Sequence, residues 1–317
     1  MKKISKVLFV GLILLASCSK NDLTNNETEN PVAGHRQCAT MEVHNRLMAE
    51  DPSYAKKHQE IEDFTNRVIE SGNYRLVNGV IEIPIVYNVI YKTTAQNVSQ
   101  AMLDAQTAVL NADFNATNAD LNKVPTLFQS SIGNVGIRFV QQAVNRKKTT
   151  KTSWSTNDAV KKTTQGGLNP TNPAEYLNIW ICNLGNGILG YAQFPGGSSA
   201  TDGVVLLYSS LPGGSAAPYN KGRTATHEVG HYLNLRHIWG DATCGSDLVN
   251  DTPTHNTANY GCPTYPHYST CSGNPVEMTM NYMDYTDDAC MYMFTNGQKS
   301  RVLSVFAPGG SRASMGD

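Results

Sequence analysis

The sequence predicts a mixed α/β fold: a twisted mixed sheet with one backing helix and a second helix packed under it, then an irregular lower lobe ending in a helix. Three observations carry this. Short β-branched runs at 81–91, 137–140, 177–182 and 203–208 are interleaved with a helical stretch that opens near Asn97. A second helical stretch, 227–237, places two histidines and a glutamate at helical spacing. Beyond His237 periodicity gives way to Gly, Pro, Thr, Tyr and Cys, a composition that cannot hold itself by core burial and needs cross-links.

From the start of the chain, Lys2, Lys3 and Lys6 precede an apolar run from Val7 to Leu15, too short to span a membrane. Leu15-Ala16-Ser17-Cys18 resembles a bacterial lipobox, whose Cys is lipidated and becomes the new N-terminus. An ordinary signal peptide that contains Cys18 is the alternative, and both imply export. Residues 1–18 are therefore read as a lipoprotein signal peptide and the polar stretch 19–36 as a flexible tether. Residues 37–77 are charged and helix-prone but have no apolar face long enough for a domain of their own, which points to a pro-segment leaning on the rest; Lys56, Lys57 and Arg67 are candidate cuts. The main domain occupies 78–317. A net charge of −1 over 317 residues gives no footprint for a nucleic-acid partner.

Within the main domain, Ile81, Ile83, Ile85, Val86, Val89 and Ile90 make the first strand. Asn97 with Gln100 forms a capping-box pattern, and Met102, Ala105, Val109 and Ala112 predict the apolar stripe of the helix, with Leu110 and Phe114 beside it. The polar stretch 146–165 is expected as a surface loop. The strand at 177–182 leads into Gly185, Gly187, Gly190, Gly196 and Gly197, a run that suits either ordinary turns or a backbone approached closely by an extended peptide. Thr295 with Gln298 is a second capping-box candidate, with Val302, Leu303 and Phe306 as the apolar face of the last helix.

The chemistry centres on 227–237. His227 and His231 stand one turn apart on one helical face, so both imidazoles can reach one metal ion, and Glu228 can reach a water on that ion without binding it. His237 is too far round a continuing helix to join them, so the chain must turn, and Asn234 stands where the turn is required. Seven Cys are present; lipidation of Cys18 leaves six, for which an exported chain favours disulfides, though spacing alone selects no pairing.

With its third histidine and the downstream Asn281-Tyr282-Met283-Asp284-Tyr285, the chain resembles the metzincin zinc endopeptidases, more narrowly the bacterial branch of the pappalysin family. The resemblance also covers 177–197, 223–237, Asp251-Thr252-Pro253 and 281–298. It implies a metzincin-like fold and a zinc-dependent endopeptidase acting on protein or peptide substrates, made as a zymogen. His227, His231 and His237 then bind zinc, Glu228 is the general base, Met283 forms the Met-turn and Tyr285 stabilises the reaction intermediate. The edge strand, with Gly187, Leu189 and Gly190, holds substrate antiparallel. The resemblance implies the disulfides Cys244–Cys271 and Cys262–Cys290, and Cys38 as a latency ligand on zinc, against the alternative of a Cys38–Cys182 disulfide. A structural calcium at Asp247, Asp251 and Thr252 is implied likewise, with simple solvation of that loop as the alternative. The family pattern has Gly where this chain has Asn234. In the family an acidic residue precedes the last Cys in members that favour basic side chains; here that slot is Ala289, beside Asp287 and Asp288. The expected location is the outer membrane or cell surface, through the N-terminal lipid alone, with release once the pro-segment is cut. A surface-binding lipoprotein that keeps the fold without turnover is the alternative reading.

Overall fold

The computed structural model describes Met1 and residues 34–74 and 80–315. The signal segment, its Cys18 and most of the tether lie outside the described residues, as do positions 75–79.

Two helices come first, α1 (Thr40–Glu50) and α2 (Pro52–Ser71), separated by Asp51, whose carboxylate accepts the Ser53 N–H at 2.9 Å and so caps α2. Gly72 ends α2 in the left-handed region, φ 64°. The sheet follows: β1 (Ile81–Tyr91), β2 (Ile137–Lys148), β3 (Leu177–Cys182), β4 (Gly190–Ala192) and β5 (Val204–Leu207), in the spatial order β2-β1-β3-β5-β4. The pairs β1/β2, β1/β3 and β3/β5 are parallel, and β4 runs antiparallel to β5 at the edge. All six residues of β3 are buried, as in a parallel strand covered on both faces.

Helix α3 (Gln100–Phe114) packs on β2 and against α4 (Arg223–Tyr232), which lies under β4 and β5. The fold departs from expectation in three places. The N-cap of α3 is Ser99, whose hydroxyl accepts the Met102 N–H, and not Asn97. Its buried face is Leu103, Gln106, Leu110, Asp113 and Phe114, whereas Met102, Ala105, Val109 and Ala112 are not fully buried. Two polar residues face inward because α4 and its N-cap supply their partners: Gln106 donates to Gly222 O at 3.0 Å, and Asp113 accepts the Thr226 hydroxyl at 2.6 Å. Finally, β2 continues to Lys148 alongside β1, and the excursion after it is no surface loop. Trp154, Val160 and Lys161 are buried, and Trp180 donates its indole N–H to Leu168 O, so this segment covers a face of the sheet.

The lower lobe contains little regular structure. It is cross-linked by Cys244–Cys271 and Cys262–Cys290, with Cα separations of 5.7 and 5.6 Å, while Cys38 and Cys182 are free thiols. The last helix, α5 (Asn296–Ser304), opens with a complete Thr295/Gln298 capping box and packs against α2.

Candidate active site

Helix α4 has no side-chain N-cap of its own. Its Gly222 N-cap adopts φ 87°, and the entry to the helix is held from the lower lobe, where Asp288 Oδ2 accepts the Lys221 N–H just before the cap at 2.8 Å and the first helical N–H, of Arg223, at 3.3 Å. Arg223 ties the same end to Asp113 and Asp120. At the other end Asn234 takes φ 72°, the left-handed turn anticipated for this position, and sends the chain back so that His237 faces the helix. Gly230, on the underside of α4, lets Met283 pack beneath it: a Cβ there would stand 2.5 Å from Met283 Sδ.

His227, His231 and His237 are buried and converge. The His231 Nε2 atom is 3.1 Å from Nε2 of both His227 and His237. Each ring's other nitrogen faces an acceptor: Tyr282 O at 2.7 Å, Leu235 O at 2.7 Å and the Asp241 carboxylate at 2.5 Å. Those bonds place the proton on Nδ1 and leave three Nε2 lone pairs aimed at one point. Burial holds His227 and His231 well below the usual imidazole range, hence neutral. Three mutually repelling lone pairs in a dry pocket fit a cation, and three imidazoles with one further position fit zinc.

Around this point stand Glu228, Cys38 and Tyr285. The Cys38 thiol groups with the three histidines, all four ligand atoms lying within 4.8 Å of one another, and it is 3.3 Å from Glu228 Oε2. Burial and the adjacent Glu228 carboxylate push the Cys38 thiol up; a cation at the histidines reverses that preference, because it favours the thiolate. Burial pushes Glu228 up to about 7. The Tyr285 hydroxyl donates to Cys38 O at 3.2 Å, and its ring lies against His237 and Trp239.

Cys38 forms a parallel bridge with Gly190: Leu189 N donates to Gln37 O at 2.9 Å, and Ala39 N donates to Gly190 O at 3.0 Å. Leu189 and Gly190 thus present the sheet edge, while Gly187 sits in the preceding turn at φ 72°. Gly190 also leaves space for the base, since a Cβ there would meet Glu228 Cγ at 2.8 Å. Of the residues expected around calcium, Asp247 and Thr252 meet at 2.9 Å, but the Asp251 carboxylate turns to the start of α5, where it accepts from Thr295 and Gly297.

Several participants carry no mark in the sequence. Thr40 donates to Glu228 Oε2 at 2.8 Å and accepts the Ala192 N–H at 2.8 Å. Arg36, assigned to the tether, is buried; its guanidinium pairs with Asp288 at 2.5 Å, also reaches Thr286 O and Thr224, and lies over the Tyr219 ring. Beside it Asp287 is half-buried and Ala289 exposed, so Asp288 is the acid that faces inward. Asp241, four residues after His237, is the one that spacing could in principle have found.

The sequence profile of the Peptidase M43 family, described as pregnancy-associated plasma protein-A, matches residues 162–307. Among solved structures, a Tannerella forsythia promirolysin mutant superposes with a TM-score of 0.80 at 41% identity, covering 89% of this chain and 97% of that one. Mature mirolysin of Tannerella forsythia in complex with a cleaved peptide superposes at 0.72 and 44% identity, covering 75% and 96%. An extracellular metalloprotease of Verticillium alfalfae is 36% identical over 244 residues, 71% of this chain and 78% of that protein.

Proposed function

The chain belongs to the Peptidase M43, or pappalysin, family of metalloendopeptidases, and we propose that it is a zinc enzyme exported as a latent precursor, with Glu228 as its general base. The observation that carries this reading is the meeting of three imidazole lone pairs, a buried carboxyl and a pro-segment thiol at one point.

Zinc at His227, His231 and His237 would polarise the scissile carbonyl and lower the pKa of a water to about 7. Glu228 would take the proton of that water and deliver it to the leaving amine once Cys38 and Thr40 no longer cover its carboxylate. The Tyr285 hydroxyl, which meets a carbonyl oxygen of the pro-segment at 3.2 Å, donates to the oxygen on which charge develops. Leu189 N–H and Gly190 C=O bind the substrate main chain in place of the pro-segment.

Direction along this edge supports a side-chain preference. The pro-segment runs parallel to the edge strand, so Arg36 lies on its upstream side. A substrate running antiparallel puts its C-terminal half there. The side chain following the cleaved bond then enters the pocket now filled by Arg36, whose acid is Asp288, and a basic residue is favoured. Ala289 is replaced in this role by its neighbour.

Latency follows from the same contacts. Residues 36–40 fill the metal position, the base and the sheet edge together, and cutting within 37–77 frees the domain from about residue 78. That promirolysin covers 89% of this chain and mature mirolysin 75% supports such a boundary. Lys2, Lys3, Lys6 and the lipobox support export and an anchor at Cys18; Cys18→Ala should move the protein from the membrane fraction to the soluble one. A calcium at Asp247 and Thr252 completes the proposal, without Asp251.

The test is metal content and cleavage of a peptide library by the matured protein. One zinc per chain and loss of cleavage on chelation are expected. Glu228→Ala should retain zinc and lose about 10²- to 10⁴-fold in kcat, the range for a removed general base. Undiminished turnover in that variant would remove Glu228 from the mechanism.

A further inference from the structure

The Met-turn is tied to the disulfide-linked lobe by a buried polar cluster that touches none of the reacting groups directly. Asp284, fully buried between Met283 and Tyr285, is at its centre. Its Oδ1 accepts the N–H of Tyr285 and the N–H of Asn259, each at 2.8 Å, and its Oδ2 accepts from Asn259 Nδ2 at 3.0 Å. Asn259 Nδ2 has a second hydrogen, which goes to Glu277 Oε2 at 2.8 Å, and Glu277 Oε1 accepts the Asn256 N–H at 2.6 Å. His255 Nε2 accepts the Met278 N–H at 2.9 Å, which leaves its proton on Nδ1, facing Asp284 at 3.6 Å and Glu277 at 4.0 Å. The far side of the loop is fixed by Cys244, whose N–H donates to Asn256 O beside the Cys244–Cys271 bridge.

A phenol that stabilises a developing oxyanion must be held within about 0.5 Å of its working position, and its own rotamer cannot fix the backbone from which it projects. The ring of Tyr285 is steadied by His237 and Trp239. Among the described residues, the acceptor that holds its backbone N–H is the Asp284 carboxylate. The same carboxylate anchors Asn259, and the next residue, Tyr260, has its ring 6.0 Å from that of Tyr285. We propose that Asp284, braced by Asn259, is a positioning residue that sets the Tyr285 hydroxyl against the scissile carbonyl. The inference rests on the reading of Tyr285 as the oxyanion donor.

The experiment is a double-mutant cycle in matured, zinc-loaded enzyme, comparing Asp284→Asn, Tyr285→Phe and the pair, with kcat, KM and zinc content read for each. Asn at this position keeps the shape but turns a donor toward Asn259 or loses the paired acceptor. Tyr285→Phe should cost about 10²-fold in kcat, the order for one oxyanion donor. With Tyr285 present, Asp284→Asn should lower kcat roughly tenfold with KM little changed; added to Tyr285→Phe, the same change should cost less than about twofold. Equal losses in both backgrounds, or none in either, overturn the proposal. A Tyr285→Phe variant with full kcat overturns the reading of Tyr285 itself, and the positioning role with it. Should Asp284→Asn not fold, Asn259→Ser removes the amide link while leaving the Asn259 backbone N–H in place, and is judged by the same two outcomes.

Discussion

The Thr40 hydroxyl stands 2.8 Å from Glu228 Oε2 and donates to it, while the hydroxyl oxygen accepts the Ala192 N–H of the sheet edge. One side chain of the proposed pro-segment thus occupies Glu228 and an edge donor, two residues beyond the Cys38 thiol. The proposed latency would therefore have a component that does not depend on sulfur. Uncut Cys38→Ala precursor should remain mostly inactive on a fluorogenic peptide. Adding Thr40→Val should raise its turnover about tenfold or more, the size of a lost hydrogen bond to a charged group. Full activity in Cys38→Ala alone would show that Thr40 contributes nothing.

Asp288 joins two tasks, accepting Lys221 N and Arg223 N at the start of α4 with one oxygen and the Arg36 guanidinium with the other. Asp288→Asn keeps an acceptor for α4 but loses the charge. It should lower kcat/KM for peptides with Arg after the cleaved bond by about 100-fold, and should change little for peptides with an apolar residue there. Cleavage profiling of both peptide sets decides it; a uniform loss across sets would point to the helix cap and not to the pocket.

Asn234 carries φ 72° in the turn between two of the histidines, and its buried Oδ1 lacks a hydrogen-bond partner among the described residues. Asn234→Gly should keep zinc content and raise Tm by a few degrees, corresponding to about 0.5–1 kcal/mol of relieved strain and desolvation. The Asn234 amide donates to the Thr65 hydroxyl of α2 at 3.4 Å, a bond lost on maturation if α2 belongs to the proposed pro-segment. The gain should therefore be larger in the matured enzyme than in the precursor. Loss of metal in this variant would mean that the turn needs the Asn side chain.

The pro-segment should dock more weakly in acid. His44 and His58, packed edge-on at 4.6 Å between α1, α2 and Phe194, are both held below the usual imidazole range by burial, His44 down to about 4. The docked form favours neutral rings, and the released form takes up protons below its ordinary value of about 6.5. Docking is therefore at full strength above about 6.5 and weakens as pH falls from there toward 4. Trypsin cleavage at Lys56, Lys57 and Arg67 in catalytically dead Glu228→Ala precursor should quicken across that window. The response should flatten in His44→Gln/His58→Gln; an unchanged response there would assign the effect elsewhere.

Glu62 shows how firmly α2 is seated. It meets the buried Arg301 guanidinium of α5 at 2.5 and 2.6 Å, and Arg301 Nε holds Asn234 O at 2.7 Å, so α2 reaches the turn between the histidines through α5. Removing one partner strands a buried charge. Nothing in the local sequence around Glu62 marks it, because an acid on a helix rich in Lys and Glu looks like any solvated face.

What the sequence determined by itself was local. Strand positions came from β-branched runs, the two imidazoles and the carboxylate from i, i+4 spacing, and the left-handed turn from a third histidine that a straight helix could not deliver. The boundaries of α3's buried face, the length of β2 and the burial of the 149–176 segment were not legible, since polar residues turn inward only when a distant element supplies their partners, as α4 and its N-cap do for Gln106 and Asp113. Arg36 with Asp288, and Thr40 with Glu228, join positions 252 and 188 residues apart. No periodicity encodes such pairs. They exist because residues 36–40 lie along the sheet edge across the histidines, where the low dielectric of the covered cleft makes an unpaired polar group costly.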